Sequence, residues 1–307
     1  MSTKRTWRQV DGVLLFDKPL TLSSNAALQK VRRLFQAEKA GHTGTLDPLA
    51  TGLLPVCFGE AAKFSSGLLD AEKAYLARVK LGATSSTGDT EGEIMPTGAP
   101  MPDEAAVRAV LRQFCGDIEQ IPPMHSALKH QGKPLYEYIR KGETIAREPR
   151  RVTIHELELE SFSGDVMEIS VRVSKGTYIR TLAEDIGHTL GCGAHLLALR
   201  RTATAWFSIG DAYTLEQLEA MSAEQRDACL LPVDSLLPEM PVLDLDAGEV
   251  RRLAQGQRIR LQCGMPDGKV NLRGPLGFVG VGRLQNGLVM PERLIAAVAR
   301  GAAAAPA

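Results

Sequence analysis

Short apolar runs and helical stripes follow one another along the chain, with no strict rhythm. Gly12 to Asp17 (GVLLFD) is apolar almost throughout and ends at Lys18-Pro19, which predicts a buried strand and then a turn. Ser23 or Ser24 can cap the next stretch, where Ala27, Leu28, Val31, Leu34 and Phe35 recur at helical spacing. Lys39 to Gly52 is rich in Gly, Thr and Asp and predicts a loop. Leu53 to Phe58 predicts a second buried strand, and Glu60 to Leu69 a helix. Tyr75 to Leu81 alternates, with Tyr75, Ala77, Val79 and Leu81 on one face, and a polar loop over 84–92 carries Asp89 and Glu91.

Asp103 begins a helix bearing Val107, Val110, Leu111 and Phe114. Residues 122–151 mix Pro, Gly and basic side chains around a short helix near Leu135 to Arg140, an exposed excursion from the sheet. Val152 to Leu159 and Val166 to Val173 predict strands. Ile179 to Leu190 predicts a helix stopping at Gly191. This mixture fits an α+β fold with a mixed, mainly antiparallel sheet better than a doubly wound one. Pro232, Pro238 and Pro241 mark a boundary between units at 1–240 and 241–300. The Gly-rich runs beyond it suggest a small β-barrel, and 301–307 (GAAAAPA) reads as a disordered tail.

Composition narrows the class. With 307 residues, 44% of them hydrophobic, the chain can bury a sizeable core. No apolar run reaches the roughly 18 residues of a membrane-spanning helix, and Met1 to Val10 lacks a secretory signal. Five scattered cysteines with no C-x-x-C pair argue against a disulfide framework and a structural zinc site. The expectation is a cytoplasmic protein.

The balance of 36 basic and 36 acidic residues hides strong asymmetry. Residues 1–80 are net +5, 122–151 net +4, 211–250 net −9 and 251–307 net +7. Each block alone reads as a solvated face; three basic blocks together favour a polyanion partner.

The chain lacks a G-x-x-x-x-G-K-[ST] phosphate loop, an H-E-x-x-H motif and a G-x-S-x-G elbow. The unusual stretch is GHTGTLDPLATGLLPV (41–56), where Pro48 biases Asp47 toward extended backbone and glycines permit close approach. An Asp-Pro turn explains it equally well on physics alone. In KGTYIR (175–180), Arg180 falls in a first helical turn, where the helix dipole disfavours a cation. Pairing with a carboxylate would explain it; a surface arginine is the plainer reading.

Six segments in order resemble the TruB-type tRNA pseudouridine synthases: LLFDKPLTLSSNAALQKVRR (14–33), GHTGTLDPLATGLLPVCFGEAAKF (41–64), KAYLARVKLGATSSTGDTEGEI (73–94), PPMHSALKHQGKPLYEYIRKGE (122–143), KGTYIRTLAEDIG (175–187) and GCGAHLLALRRT (191–202). Residues 242–295 are similar, more diffusely, to the small RNA-binding PUA domain that follows the catalytic domain in this family. The resemblance implies isomerisation of uridine 55 in the tRNA T-loop. It assigns Asp47 as the catalytic aspartate, Tyr75 as the active-site tyrosine and Arg180 as the partner of the aspartate. It puts His42 beside the flipped nucleotide, Tyr178 and Leu199 on the uracil pocket, and Lys18-Pro19 under the active-site loop, with Lys18 counted among the substrate-binding residues. The 122–151 insertion, with Lys129, would grip the T-arm; His125 stands where some relatives carry tyrosine.

The implied reaction breaks the uridine N1–C1′ bond, rotates the base and rejoins it through C5. It involves no net redox change or hydrolysis, so no cofactor or metal is expected. Arg180 would keep Asp47 charged in a dry pocket. Attack at C1′, attack at C6 and assistance to elimination all use the same carboxylate and stay open. Tyr75 would take the C5 proton or position water; on its strand pattern alone it is a core tyrosine. The base must be extruded at a cost of about a few kcal/mol, with His42 as a wedge. A monomer acting alone on tRNA, with an added tRNA-folding role, is the leading expectation. A guided relative, a non-catalytic RNA-binding protein and a hydrolase are the alternatives.

Overall fold

The computed structural model describes residues 7–126, 128–139, 142–262, 264–296 and 298. The elements that position the site are β1 (Gly12–Lys18), α1 (Ser24–Leu34), β2 (Ala40–His42), β3 (Ala50–Phe58), β4 (Lys73–Leu81), α2 (Glu104–Gln113), β5 (Gly116–Gln120), β6 (Arg150–Ser163), β7 (Val166–Val173), α3 (Ile179–Thr189) and β8 (Ala194–Thr204). They build a mixed sheet in the order β1-β3-β8-β4-β7-β6-β5. Only β3 and β8 pair in parallel; the other neighbours on this path are antiparallel.

β1 lacks alternation because both its faces are covered. Leu14 and Phe16 pack with α1, while Val13 and Leu15 pack on the opposite side with Phe64 and Leu68. Helices α2 and α3 cover the other half of the sheet, burying Val107, Leu182 and Ile186 against Ala77, Val79, Ile169 and Val171. Ser23 caps α1 through the Ala26 N–H, and Asp103 caps α2 through the Ala106 N–H.

Three elements differ from the sequence reading. The 39–52 loop contains β2 and the start of β3, so only 43–49 remains irregular between them. The 60–69 helix is broken into a 3-10 turn at Gly59–Lys63 and a short helix at Ser66–Asp70. β8, at the centre of the sheet, has no counterpart in the hydrophobic pattern. Its register against β4 shifts between Leu196 and Ala198 and again between Arg201 and Ala203. Each irregularity disturbs which side chains face which way, and the period of two is lost.

A second sheet follows, built from β9 (Val242–Asp244), β10 (Ile259–Arg260), β11 (Gly268–Gly274), β12 (Gly277–Gln285) and β13 (Leu288–Leu294), with helix α4 (Ala247–Ala254) packed on it. Its order is β9-β11-β12-β13-β10. It curls into a half-barrel, in keeping with the small barrel that the Gly-rich runs suggest. Phe278 of β12 meets Phe64 edge-on at 5.1 Å between ring centroids. The expected 301–307 tail lies outside the described residues.

Candidate active site

Sheet topology makes the site. One edge of β3 is shared: β8 pairs with Ala50–Gly52 and β2 with Val56–Phe58. The chain leaves β2 at His42 and re-enters at Ala50, so residues 43–49 arch over the space between β2 and β8. Gly52 allows the junction. Its φ is +101°, and a Cβ there would lie 2.3 Å from the Arg201 carbonyl oxygen.

The arch is braced from β1 and α1. Ser24 Oγ donates to the Leu46 carbonyl at 2.9 Å and accepts from the Leu46 N–H at 2.7 Å. The Thr21 N–H donates to the Pro48 carbonyl at 2.9 Å. Lys18 is fully buried beneath, its ammonium donating to the Pro19 and Leu22 carbonyls at 3.0 and 2.6 Å. Burial lowers its pKa to about 8. The structure thus puts Lys18 under the loop and not on the cleft wall.

Asp47 sits half-buried on the arch, and Arg180 Nη2 stands 3.0 Å from its Oδ2. Arg180 is 5% exposed. It donates to the carbonyls of Thr87 at 3.0 Å and His125 at 2.7 Å, and its Nε lies 3.7 Å from Asp89 Oδ2. Four oxygens from three separate segments therefore hold one guanidinium, which explains a cation in the first turn of α3. Burial pushes the Asp47 carboxyl up, Arg180 pulls it down, and Asp89 pushes it up again. The net direction is upward. Burial is the largest cause, and Arg180 is the group that favours the charged form against it.

Asp89 is the residue that sequence reasoning noticed without assigning. It is 2% exposed, accepts from the Thr87 hydroxyl at 2.5 Å and from the Glu91 N–H at 3.0 Å, and turns its other oxygen to Arg180. A Gly-, Ser- and Thr-rich segment hides such a carboxylate well; only its burial separates it from an ordinary turn aspartate.

The cleft beside Asp47 has a volume of about 370 Å³. Tyr75, Tyr178, Arg180 and Leu199 line it, together with Lys73 and Arg201. Tyr178 is fixed through its backbone: its N–H donates to Gln120 Oε1 at 3.0 Å and its carbonyl accepts from Gln120 Nε2 at 3.3 Å. Gln120 is 1% exposed at the end of β5, where the 122–151 excursion begins. Burial raises the Tyr178 phenol.

His42 ends β2 half-buried, with Nδ1 lacking a hydrogen-bond partner. Burial and then Arg201 lower its pKa, favouring the neutral ring. It stands outside the cleft wall. Lys129 is exposed on the small hairpin Lys129–His130/Lys133–Pro134, also off the wall. The root of that excursion is anchored, with Met124 and Ser126 buried and Arg147 donating to the Pro122 carbonyl; residues 127, 140 and 141 lie outside the described residues. The site thus joins Asp47, Arg180, Tyr75, Tyr178 and Leu199, and leaves Lys18, His42 and Lys129 around it.

Comparison with known proteins gives the family. The family described as TruB family pseudouridylate synthase (N terminal domain) matches residues 32–179. The tRNA pseudouridylate synthase B C-terminal domain matches 180–238, and the Pseudouridine synthase II TruB C-terminal family matches 241–295. The chain is 54% identical over 297 residues to tRNA pseudouridine synthase B of Methylobacillus flagellatus, spanning 96% of this chain and 98% of that protein. It is 52% identical over 296 residues to the protein of the same name from Dechloromonas aromatica, spanning 96% and 99%. Among solved structures, a chain of a Cbf5-Nop10-Gar1 complex shares the fold with a TM-score of 0.69 at 24% identity, over 96% of this chain and 91% of that one.

Proposed function

The chain belongs to the TruB family of pseudouridylate synthases, and we propose that its cleft isomerises uridine 55 in the T-loop of tRNA with Asp47 as the essential carboxylate. The enzyme converts uridine in tRNA to pseudouridine, as its relatives' shared name states. The observation carrying the residue assignment is the Asp47–Arg180 pair at 3.0 Å on the wall of a cleft sized for a nucleotide.

Arg180 holds the carboxylate toward the cleft, and Asp89 with the Thr87 and His125 carbonyls holds Arg180. Tyr75 and Leu199, on adjacent strands, offer an aromatic and an aliphatic surface for a flat base. The ionised Asp47 meets the sugar C1′ or the ring C6, the N1–C1′ bond breaks, the base turns, and C5 bonds to C1′. Tyr75 receives the C5 proton directly or through water. Extrusion of the base from the folded loop costs about a few kcal/mol, offset by pocket and backbone contacts.

We assign catalysis to residues 1–240, T-arm contact to the 122–151 excursion with Lys129, and further RNA contact to 241–300. We assign His42, off the cleft wall, to the space the base vacates, and Lys18 to bracing the loop. The protein works as a monomer in the cytoplasm; the free thiols of Cys57, Cys115, Cys192 and Cys229 suit a reducing compartment.

The test is a pair of transcripts, one intact and one with cytidine in place of uridine 55, mapped for pseudouridine. Modification of the first at position 55, and of nothing in the second, supports the reading. Modification elsewhere in both would sink it.

A further inference from the structure

Arg201 is 1% exposed and lies on the cleft wall. Its Nε donates to the Leu53 carbonyl at 2.6 Å and its Nη2 to the Gly44 carbonyl at 3.2 Å. These bonds span the gap beneath the Asp47 arch. They leave Nη1 without a hydrogen-bond partner among the described residues, although it is not a sealed, buried atom. Both Arg201 and Gly44, where a Cβ would lie 3.5 Å from Nη1, line the cleft.

Its neighbours sharpen the question. Arg201 of β8 pairs with Tyr75 of β4, and Lys73, two residues before Tyr75, lies on the same face. A Cβ on Gly44 would touch both cations, 3.5 Å from Arg201 Nη1 and 4.0 Å from Lys73 Cε. Lys73 is 8% exposed and spends its donors on the carbonyls of Leu68, Leu69 and Ala71. Burial first, then Arg201, lowers its pKa to about 8. Neither cation makes an ion pair among the described residues; Asp70 is engaged with Lys175 at 2.8 Å. Asp70 acts favourably on Lys73 alone, and two adjacent desolvated cations with no ion-pair partner are costly in a folded protein. An anion in the cleft would offset that cost.

The depth of Arg201 decides which anion. A backbone phosphate stays on a strand that runs outside the cleft. The group that leads inward is the extruded base. We propose that Arg201, through Nη1 and with the Lys73 charge beside it, forms an oxyanion subsite for the negative charge that develops on the uracil ring during isomerisation. This rests on the reading that the cleft takes the target uridine.

The electron count is the same along each route. When the N1–C1′ bond breaks, its pair stays on N1 and spreads to O2 and O4, while Asp47 faces the electron-poor sugar carbon. If Asp47 adds first to C6, the C5=C6 pair moves through C5 to O4, and after rejoining the C6–O bond to Asp47 breaks as the C5 proton leaves, restoring C5=C6 and the free carboxylate. Rejoining forms C5–C1′, releases the C5 proton and returns a proton to N1, leaving the ring neutral. Nothing is oxidised or reduced. A donor at a ring oxygen strengthens as the charge appears, which is the condition for lowering a barrier.

The experiment uses full-length enzyme and tRNA under single turnover, comparing wild type with Arg201→Gln and Arg201→Lys. Arg201→Gln should slow isomerisation about a hundredfold, the usual cost of one oxyanion donor, with tRNA affinity and its salt dependence unchanged. Arg201→Lys should recover part of the rate. Targets carrying 2-thiouridine or 4-thiouridine supply the readout that a merely structural role would not move, because sulfur accepts hydrogen bonds poorly. One of them should slow the wild type and leave Arg201→Gln no slower. Equal slowing in both enzymes overturns the proposal. So does an unchanged rate in Arg201→Gln, or weaker binding with a salt slope flatter by about 1, the mark of a phosphate-binding side chain. If Arg201→Gln fails to fold, Arg201→Lys carries the same thio comparison. Asp47→Ala is the separate control: full activity there removes the reading of the cleft itself, and this proposal with it.

Discussion

At Asp47, burial and charge pull in opposite directions. Burial raises the carboxyl pKa first, Asp89 adds to the rise, and Arg180 and Lys18 oppose it. Only the ionised form can act as nucleophile or base. The single-turnover rate should therefore climb with pH and level off once Asp47 ionises, with its acid limb above the value of about 3.9 for a free aspartate. Removing the Asp89 charge should move that limb to lower pH in Asp89→Asn, while the plateau falls because Arg180 loses a brace; a pH–rate profile of both enzymes reads this directly. The same shift bears on stability. A carboxyl whose folded pKa is raised stabilises the fold fully only below its unfolded pKa, and that contribution fades as pH climbs through the folded value. At neutral pH the ionised Asp47 costs stability. Asp47→Asn, inactive, should melt at or above the wild-type Tm at pH 7, the difference vanishing below about pH 4. A clear drop in Tm at pH 7 would mean that Arg180 outweighs burial after all.

At the scale of elements, the buried strands and capped helices around the core were legible, because periodicity and capping are local. β1, α1, β4, α2, β7 and α3 follow from the spacing of apolar residues and from Ser23 and Asp103. β8 was not, because its two register shifts disturb the alternation and its inward set includes Arg201 and His195. The role of Gln120 was hidden too, since nothing local shows a side-chain amide clasping a peptide 58 residues away. Gln120→Leu should leave the Tyr178 N–H and carbonyl unpaired. The cost expected is about 2 kcal/mol of stability, with a lower isomerisation rate because Tyr178 precedes Arg180 at the start of α3. Denaturant unfolding beside single-turnover kinetics would show both.

For the molecule as a whole, the order of the six motifs carried the identity, and topology explains why that order matters: residues from Lys18 to Arg201, far apart in sequence, meet around one gap in the sheet. Asp47, Tyr75, Arg180, Tyr178 and Leu199, grouped by the motifs, line one candidate cleft. His42 shares a motif with Asp47, Lys18 and Lys129 fall in two other motifs, and all three stand outside the cleft wall, because a motif records neighbourhood and not orientation. Charge asymmetry is the ground for the proposal that the second sheet contacts RNA. Arg258 and Arg260 are exposed, and no ion pair holds either one among the described residues. Arg258→Glu/Arg260→Glu should weaken tRNA binding and flatten its dependence on salt by about 1 for each phosphate no longer neutralised, at unchanged chemical rate. The most direct test of the whole account is tritium release from C5-labelled uridine in unmodified tRNA under single turnover, comparing wild type with Asp47→Asn at saturating enzyme. Release by the wild type and none by Asp47→Asn, with tRNA still bound by both, is the result predicted. Release by both at similar rates would contradict it, and would move the chemistry away from Asp47.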